Sequence, residues 1–179
     1  MYIHAVYLFV TNIHGKATNF IELSYFGRYR DDCLSLWNGS ESRLKEFFEF
    51  MNSLDPNIKF TMEIGGKSLC FLDLKLTIEN EKIETTVYSK PTDSHLYLLD
   101  SSCHNYSSIK GIQKGVALRL RRICSSDEEY DIRSKEYIAY LVARGHNPIL
   151  VTKAFSSIRE MSRTTSRQKL PTKILAKCL

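Results

Sequence analysis

Two carboxylates, Asp31 and Asp32, stand side by side in the run Phe26-Gly27-Arg28-Tyr29-Arg30-Asp31-Asp32-Cys33-Leu34-Ser35-Leu36-Trp37. Adjacent acids at a tight turn repel each other unless a positive charge lies between or beside them. A divalent cation answers that need, and hard oxygen donors suit Mg2+. The element that presents such a pair is a β-hairpin: β-rich arms run from Phe20 to Trp37, and the acids sit where the chain reverses. A hairpin with a merely solvated acidic turn is the plain alternative, so the four letters Tyr-x-Asp-Asp need support from their surroundings.

The chain has 179 residues, enough for one compact domain or two small lobes with a real core. The opening apolar run from Tyr2 to Val10 is too short to span a bilayer. It also lacks the basic start and cleavage site of a signal peptide. Five cysteines (Cys33, Cys70, Cys103, Cys124, Cys178) are odd in number and never spaced Cys-x-x-Cys, which argues against a disulfide framework. A reduced, intracellular setting is expected, with the nucleus as one candidate compartment. Charge divides the chain. Residues 1–100 hold 10 basic and 14 acidic side chains, net −4, whereas residues 101–179 hold 15 and 6, net +9. A polyanion is expected to meet the second half, nucleic acid before anionic membrane.

The pattern along the chain predicts an α+β fold. Tyr7 to Val10 reads as strand or buried helix turn, and Asn12 to Asn19 as a polar loop. After the hairpin, Ser40 is a candidate N-cap for a helix to Leu54 that buries Leu44, Phe47, Phe48 and Met51. Three β-type runs follow: Ile58 to Ile64, Leu69 to Ile78 and Ile83 to Tyr88, with turns at Gly65-Gly66 and Asn80-Glu81. The last third is helical. Ile109, Ile112, Val116, Leu120 and Ile123 make an apolar stripe, and Lys110, Lys114 and Arg121 line another face, widened by Arg119 and Arg122. A capping box at Ser125/Glu128 or Ser126/Glu129 opens a second helix burying Tyr130, Tyr137, Leu141 and Val142. Gly145 closes it as a C′ residue. Asn147-Pro148 opens a third helix with Val151, Ala154, Phe155 and Ile158 inward. A frayed basic tail is expected after Met161. His95, Cys103, His104 and Cys124 match no common zinc spacing.

Hairpin, helix, β-meander and basic helical lobe follow one another in the order of the second half of a palm and the thumb of a right-hand polymerase. The wording narrows this. Arg28-Tyr29-Arg30-Asp31-Asp32, Leu54-x-Pro56-x-Ile58-Lys59-Phe60-Thr61, Phe71-Leu72-Asp73 and Lys90-Pro91-Thr92-Asp93-x-His95-x-Tyr97-Leu98 resemble the reverse transcriptases of Penelope-like retroelements. So do Ser101-Ser102-Cys103-His104, the run from Ala117 to Ser125, and Arg144-Gly145-His146 as a variant of that family's Arg-Gly-Tyr. The resemblance covers about residues 26–163.

It implies templated DNA synthesis with two Mg2+ ions, one activating the primer 3′-hydroxyl and one steadying the triphosphate. Asp31 and Asp32 would be metal ligands and catalytic. Tyr29 would lie against the primer end or the incoming deoxynucleoside triphosphate. Arg30 departs from the small or apolar residue usual there. Phe71, Leu72 and Asp73 would form the primer grip. Lys67 is a candidate acid for the departing pyrophosphate, with an exposed turn lysine as the alternative. Lys110, Lys114, Arg119, Arg121 and Arg122 would meet the phosphates of the template–primer duplex. The implied layout is residues 1–19 unassigned, 20–100 partial palm, 101–163 helical thumb or helix-turn-helix-like lobe, and 164–179 basic tail.

The departures set a limit. No Asp precedes Asp31, and Glu22 lacks the family's surroundings, so the further carboxylate of a two-metal site is missing. Fingers and the GIY-YIG endonuclease domain are absent too. The expectation is a polymerase fragment, inactive alone, with nucleic acid but no membrane as partner. The alternative is a non-catalytic helix-turn-helix-like nucleic-acid binder on a palm scaffold.

Overall fold

The computed structural model describes residues 2–7, 20–80 and 82–167. The chain is mixed α+β with antiparallel sheets, and it divides into two compact units, Met1–Tyr88 and Ser89–Leu179.

In the first unit, β1 (Tyr2–Tyr7), β2 (Leu23–Tyr29), β3 (Asp32–Trp37) and β4 (Thr61–Gly66) form a sheet in the order β2-β3-β1-β4, every neighbour antiparallel. Helix α1 (Glu41–Ser53) carries the chain from β3 to β4, so β1 lies between two strands joined by one crossover. Ser40 caps α1 as expected, its hydroxyl accepting from the Arg43 amide at 3.4 Å. Leu44, Phe47 and Met51, one helical stripe, pack with Cys33, Trp37 and Phe60 into a fully buried core. Phe48 is only partly buried. Each such side chain contributes about 1.5–3 kcal/mol. Asn52 joins helix to strand: its Oδ1 accepts from the Phe60 amide at 2.7 Å, which fixes where β4 begins.

β5 (Ser68–Phe71), β6 (Leu74–Glu79) and β7 (Lys82–Val87) form a second, three-stranded meander. Here the single strand expected over Leu69 to Ile78 is corrected to a hairpin reversing at Leu72-Asp73. The reason is parity. Leu69 and Phe71 are odd and Leu74 and Leu76 even, and the pairs Phe71↔Leu74 and Leu69↔Leu76 bring all four to one face. Leu34 and Leu36 of β3 pack against Leu69, Phe71 and Leu76. The turn expected at Gly65-Gly66 moves one residue on, to Lys67, and the strand expected from Ile58 starts only at Thr61. Gly65 is nonetheless required, because a Cβ there would meet the Ser68 carbonyl at 2.7 Å.

The second unit holds α2 (Tyr106–Ile123), α3 (Asp127–Ala143), α4 (Pro148–Arg159) and the short α5 (Arg163–Arg167). Their starts follow the sequence: Ser126 Oγ accepts from Glu129 N at 3.1 Å, and Asn147 Oδ1 from Ile149 N at 2.9 Å with Pro148 behind it. Glu129 Oε1 also accepts from Arg133 Nε at 2.9 Å. Gly145, at φ +85°, ends α3 in a Schellman motif: Gly145 N donates to Val142 O and His146 N to Leu141 O. Two expectations fail. Val142 is exposed while Ser134 takes the buried place, and the stretch after Met161 is not frayed through Arg167 but forms α5.

The residues from Ser89 to Asn105 pack with these helices. Arg144 Nε donates to Tyr97 O at 2.7 Å, Asp100 N to Arg144 O at 3.2 Å, and the His95 ring stacks on Tyr140 at 4.2 Å. His146, fully buried, meets Leu98 O through Nε2 at 2.9 Å and the Gln113 amide through Nδ1 at 3.2 Å. Nδ1 also lies 3.5 Å from the Asp100 carboxylate.

Candidate functional site

The β2–β3 hairpin reverses over Arg30-Asp31, with Tyr29 opposite Asp32. Arg30 sits at φ +54°, in the left-handed region that costs a non-glycine residue about 1–2 kcal/mol. Its carbonyl is held by Arg28 Nε at 2.6 Å, and its guanidinium lies over the Tyr29 ring, 5.8 Å from the centroid. Asp31 is exposed and Asp32 half-buried. Among the described residues neither carboxylate has an ion-pair partner. Strand alternation puts Tyr25, Gly27, Tyr29 and Asp32 on the face that also carries Leu34 and Leu36, the face the β5–β6 hairpin covers. Behind the tip, Cys33 is buried, and burial pushes its thiol up to about 11, so it is neutral and unreactive near pH 7.

β1 ends at Tyr7, directly opposite Asp32. It is therefore the strand from which a further metal ligand would approach, and its residues, Tyr-Ile-His-Ala-Val-Tyr, include no carboxylate. Glu22 does not replace it. It lies at the far end of β2, beside the Leu23↔Trp37 pair, where Arg43 takes one of its oxygens at 3.1 Å. A backbone hydrogen bond and then Arg43 hold its carboxyl below the usual range. Two neighbouring, unpaired carboxylates at an exposed turn suit a hard cation. They are too few to bridge two ions, and among the described residues no three His, Cys, Asp or Glu side chains gather as a metal site. The donor set thus fits part of a magnesium centre only.

The structure places Lys67 toward the opposite end of the sheet from these acids. Thr61 is the β4 residue opposite Tyr7 and so nearest Asp32, whereas Lys67 follows Gly66, opposite Ile3. Four strand positions at 3.3 Å each put about 13 Å between those ends, beyond a lysine's reach. In the expected grip, Phe71 is core and Asp73 gives its carbonyl to Tyr88 N at 2.9 Å. Leu72 alone projects, 40% exposed and at φ +56°.

The basic set in the helical unit also divides. Lys110 and Lys114 are exposed on α2, Lys110 lying over Tyr106 at 4.5 Å. Arg119 is half-buried and its charge faces Tyr97. Arg121, expected on the basic face that meets phosphates, is only 9% exposed, which corrects that placement. Its Nε donates to Met161 O at 2.8 Å and Nη1 pairs with Asp127. The i, i+4 series Gln113, Ala117, Arg121 is the buried face, and the apolar stripe drawn through Val116 had hidden it. Arg122 is exposed, with Nε bound to Ser166 O.

Sequence reasoning passed over Arg28, which shapes the acidic tip, and Arg167, whose guanidinium donates to Arg122 O at 3.2 and 3.3 Å. The signal for the latter was available: no acidic residue follows Glu160, while basic ones continue. His95, Cys103, His104 and Cys124 are not gathered; His104 bonds Ser102, and Cys124 is buried at the end of α2. No helix among the described residues is long and apolar enough to cross a membrane. No protein-family model, no curated protein and no solved structure matches this chain.

Proposed function

We propose that this chain is part of an RNA-directed DNA polymerase of the Penelope-like kind, contributing two ligands of a two-magnesium centre and a set of helices that hold template–primer duplex. The observation that carries the reading is the tip of the β2–β3 hairpin: two adjacent carboxylates, unpaired among the described residues, beside an exposed tyrosine and opposite the end of β1. Pairing such acids with nearby arginines would have been easy, since Arg28 and Arg30 flank them. Instead Arg28 binds a carbonyl and Arg30 leans on Tyr29.

In the intact enzyme Asp31 and Asp32 would hold magnesium, which supplies charge for phosphoryl transfer. Tyr29 offers a flat ring for a primer base or sugar, and Leu72 an apolar edge. Among the described residues no further carboxylate stands beside these two, and the chain by itself is expected not to extend a primer.

Mn2+ tests this without requiring turnover. Paramagnetic broadening of amide signals is expected at residues 29–33 at millimolar metal, and is expected to vanish in Asp31→Asn/Asp32→Asn, whose urea midpoint stays within about 0.5 kcal/mol of wild type. No broadening at the tip, or equal broadening in the variant, would sink the reading. A second reading, a nucleic-acid-binding module with no catalytic past, draws on the absence of a carboxylate from β1. It is favoured if duplex binds and manganese does not.

A further inference from the structure

Arg121, Arg122, Arg159, Arg163 and Arg167 meet at the junction of α2, α5 and the end of α4, where Asp127 and Asp131 pair with two of them. Arg121 pairs with Asp127, and Arg159 with Asp131 at 2.7 Å. The other three, Arg122, Arg163 and Arg167, direct N–H groups to main-chain oxygens. Arg163 Nη2 donates to Ile123 O at 3.1 Å, Arg167 to Arg122 O, and Arg122 Nε to Ser166 O. These carbonyls include the last ones of α2, whose negative dipole end attracts cations. Among the described residues neither Arg122 nor Arg167 has a carboxylate within ion-pair distance. Crowding is felt electrostatically as well: after burial, the charge of Arg167 lowers the Arg163 pKa.

An exposed arginine normally gives up much side-chain freedom when it binds an anion. Here that loss has already occurred, because Arg122 and Arg167 are tied to each other's segments through backbone oxygens. Each keeps N–H groups that these bonds do not use, and a guanidinium presents them as a planar fork matched to phosphate. The sequence beyond adds Lys169, Lys173 and Lys177 with no acid. We infer that the corner where α5 meets the C-terminal end of α2 is a phosphodiester-binding site, with Arg122 and Arg167 as paired forks on the backbone of a nucleic-acid duplex. This deepens the proposed function and rests on its nucleic-acid part, but not on the metal site. Of the basic residues expected on the duplex it keeps Arg122 and adds Arg167, at the C-terminal end of α2.

The test is fluorescence anisotropy of the full chain with a labelled 20-base-pair RNA–DNA duplex between 50 and 300 mM salt. Arg122→Gln/Arg167→Gln is expected to weaken binding about tenfold near 100 mM and to make the slope of log K against log salt shallower by about 2, close to 0.9 per lost phosphate contact. Should the double variant fail to fold by circular dichroism, Thr164→Glu carries the same test. Thr164 is exposed on α5, three residues before Arg167, and a carboxylate there competes with phosphate. Unchanged affinity and slope in a folded variant would overturn the site while leaving the metal reading untouched. A wild-type chain that ignores duplex at 50 mM salt overturns both the site and the duplex-holding role of the helices. Vesicles with 30% phosphatidylserine are the other arm: binding that the substitutions abolish there but not on duplex would also overturn the assignment.

Discussion

The helical unit and the hairpin tip treat carboxylates in opposite ways. Asp127 lies between Arg121 and Arg159, Asp131 takes Arg159 through two bonds of 2.7 and 3.0 Å, and Arg133 joins Glu129 to Glu136. Every one of these acids faces a guanidinium across a helix turn or a helix pair. At the tip of β2–β3, two acids and two arginines lie within five residues, and no acid–base pair forms among them. Charge in the first region orders the packing. In the second no partner among the described residues answers it, and the turn holds a left-handed arginine. Backbone strain of this kind clusters at active sites and switch regions, which is why the tip carries the proposed function.

The contrast can be broken by substitutions on its two sides. The largest effect is expected inside the helical unit. His146→Ala leaves Gln113 and the Leu98 carbonyl without their partner and opens a void, lowering stability by about 3 kcal/mol in urea unfolding. A loss below about 1 kcal/mol would mean that the buried polar fastening matters little.

Asp127→Asn should act through pH. The Arg121 hydrogen bond holds the Asp127 carboxyl below its ordinary value of 3.8, so the fold favours the charged form. That contribution is complete above the ordinary value and is lost as pH falls through the lowered one. The variant is expected to show a flatter acid limb than wild type below about pH 4, and an unchanged limb would remove Asp127 from the account.

The smallest effect belongs to the tip. Asn tolerates the left-handed region, as Asn80 does at φ +48° in the β6–β7 turn. Arg30→Asn is therefore expected to raise stability by about 0.5 kcal/mol, read from the urea midpoint; a clear loss would show that Arg30 supports the fold and is not strained.

Local chemistry made much of this legible. Ser40, Ser126, Asn147-Pro148 and Gly145 mark helix ends where the structure has them, because caps satisfy backbone groups within a few residues. The hairpin arms and the buried face of α1 were equally plain. What escaped depends on contacts distant in sequence. Leu72 read as the inside of one strand from Leu69 to Ile78 until the pairing of Phe71 with Leu74 turned the chain. Arg121 looked solvated because its partners, Asp127 and the Met161 carbonyl, meet it only once α3 and the chain after α4 have packed.

The stretch from Asp93 to Asn105 reads like a connector, rich in Ser, Asp and His, the kind of segment in which length usually drifts freely. Its carbonyls at Tyr97 and Leu98 are nevertheless gripped by Arg144 and His146, its amide at Asp100 by Arg144, and its His95 ring lies flat on Tyr140. Four clasps in six residues fix its register against the helices. Adding or removing a single residue there would slip all four at once, so this piece of chain should tolerate changes of sequence at its exposed positions and almost none of length.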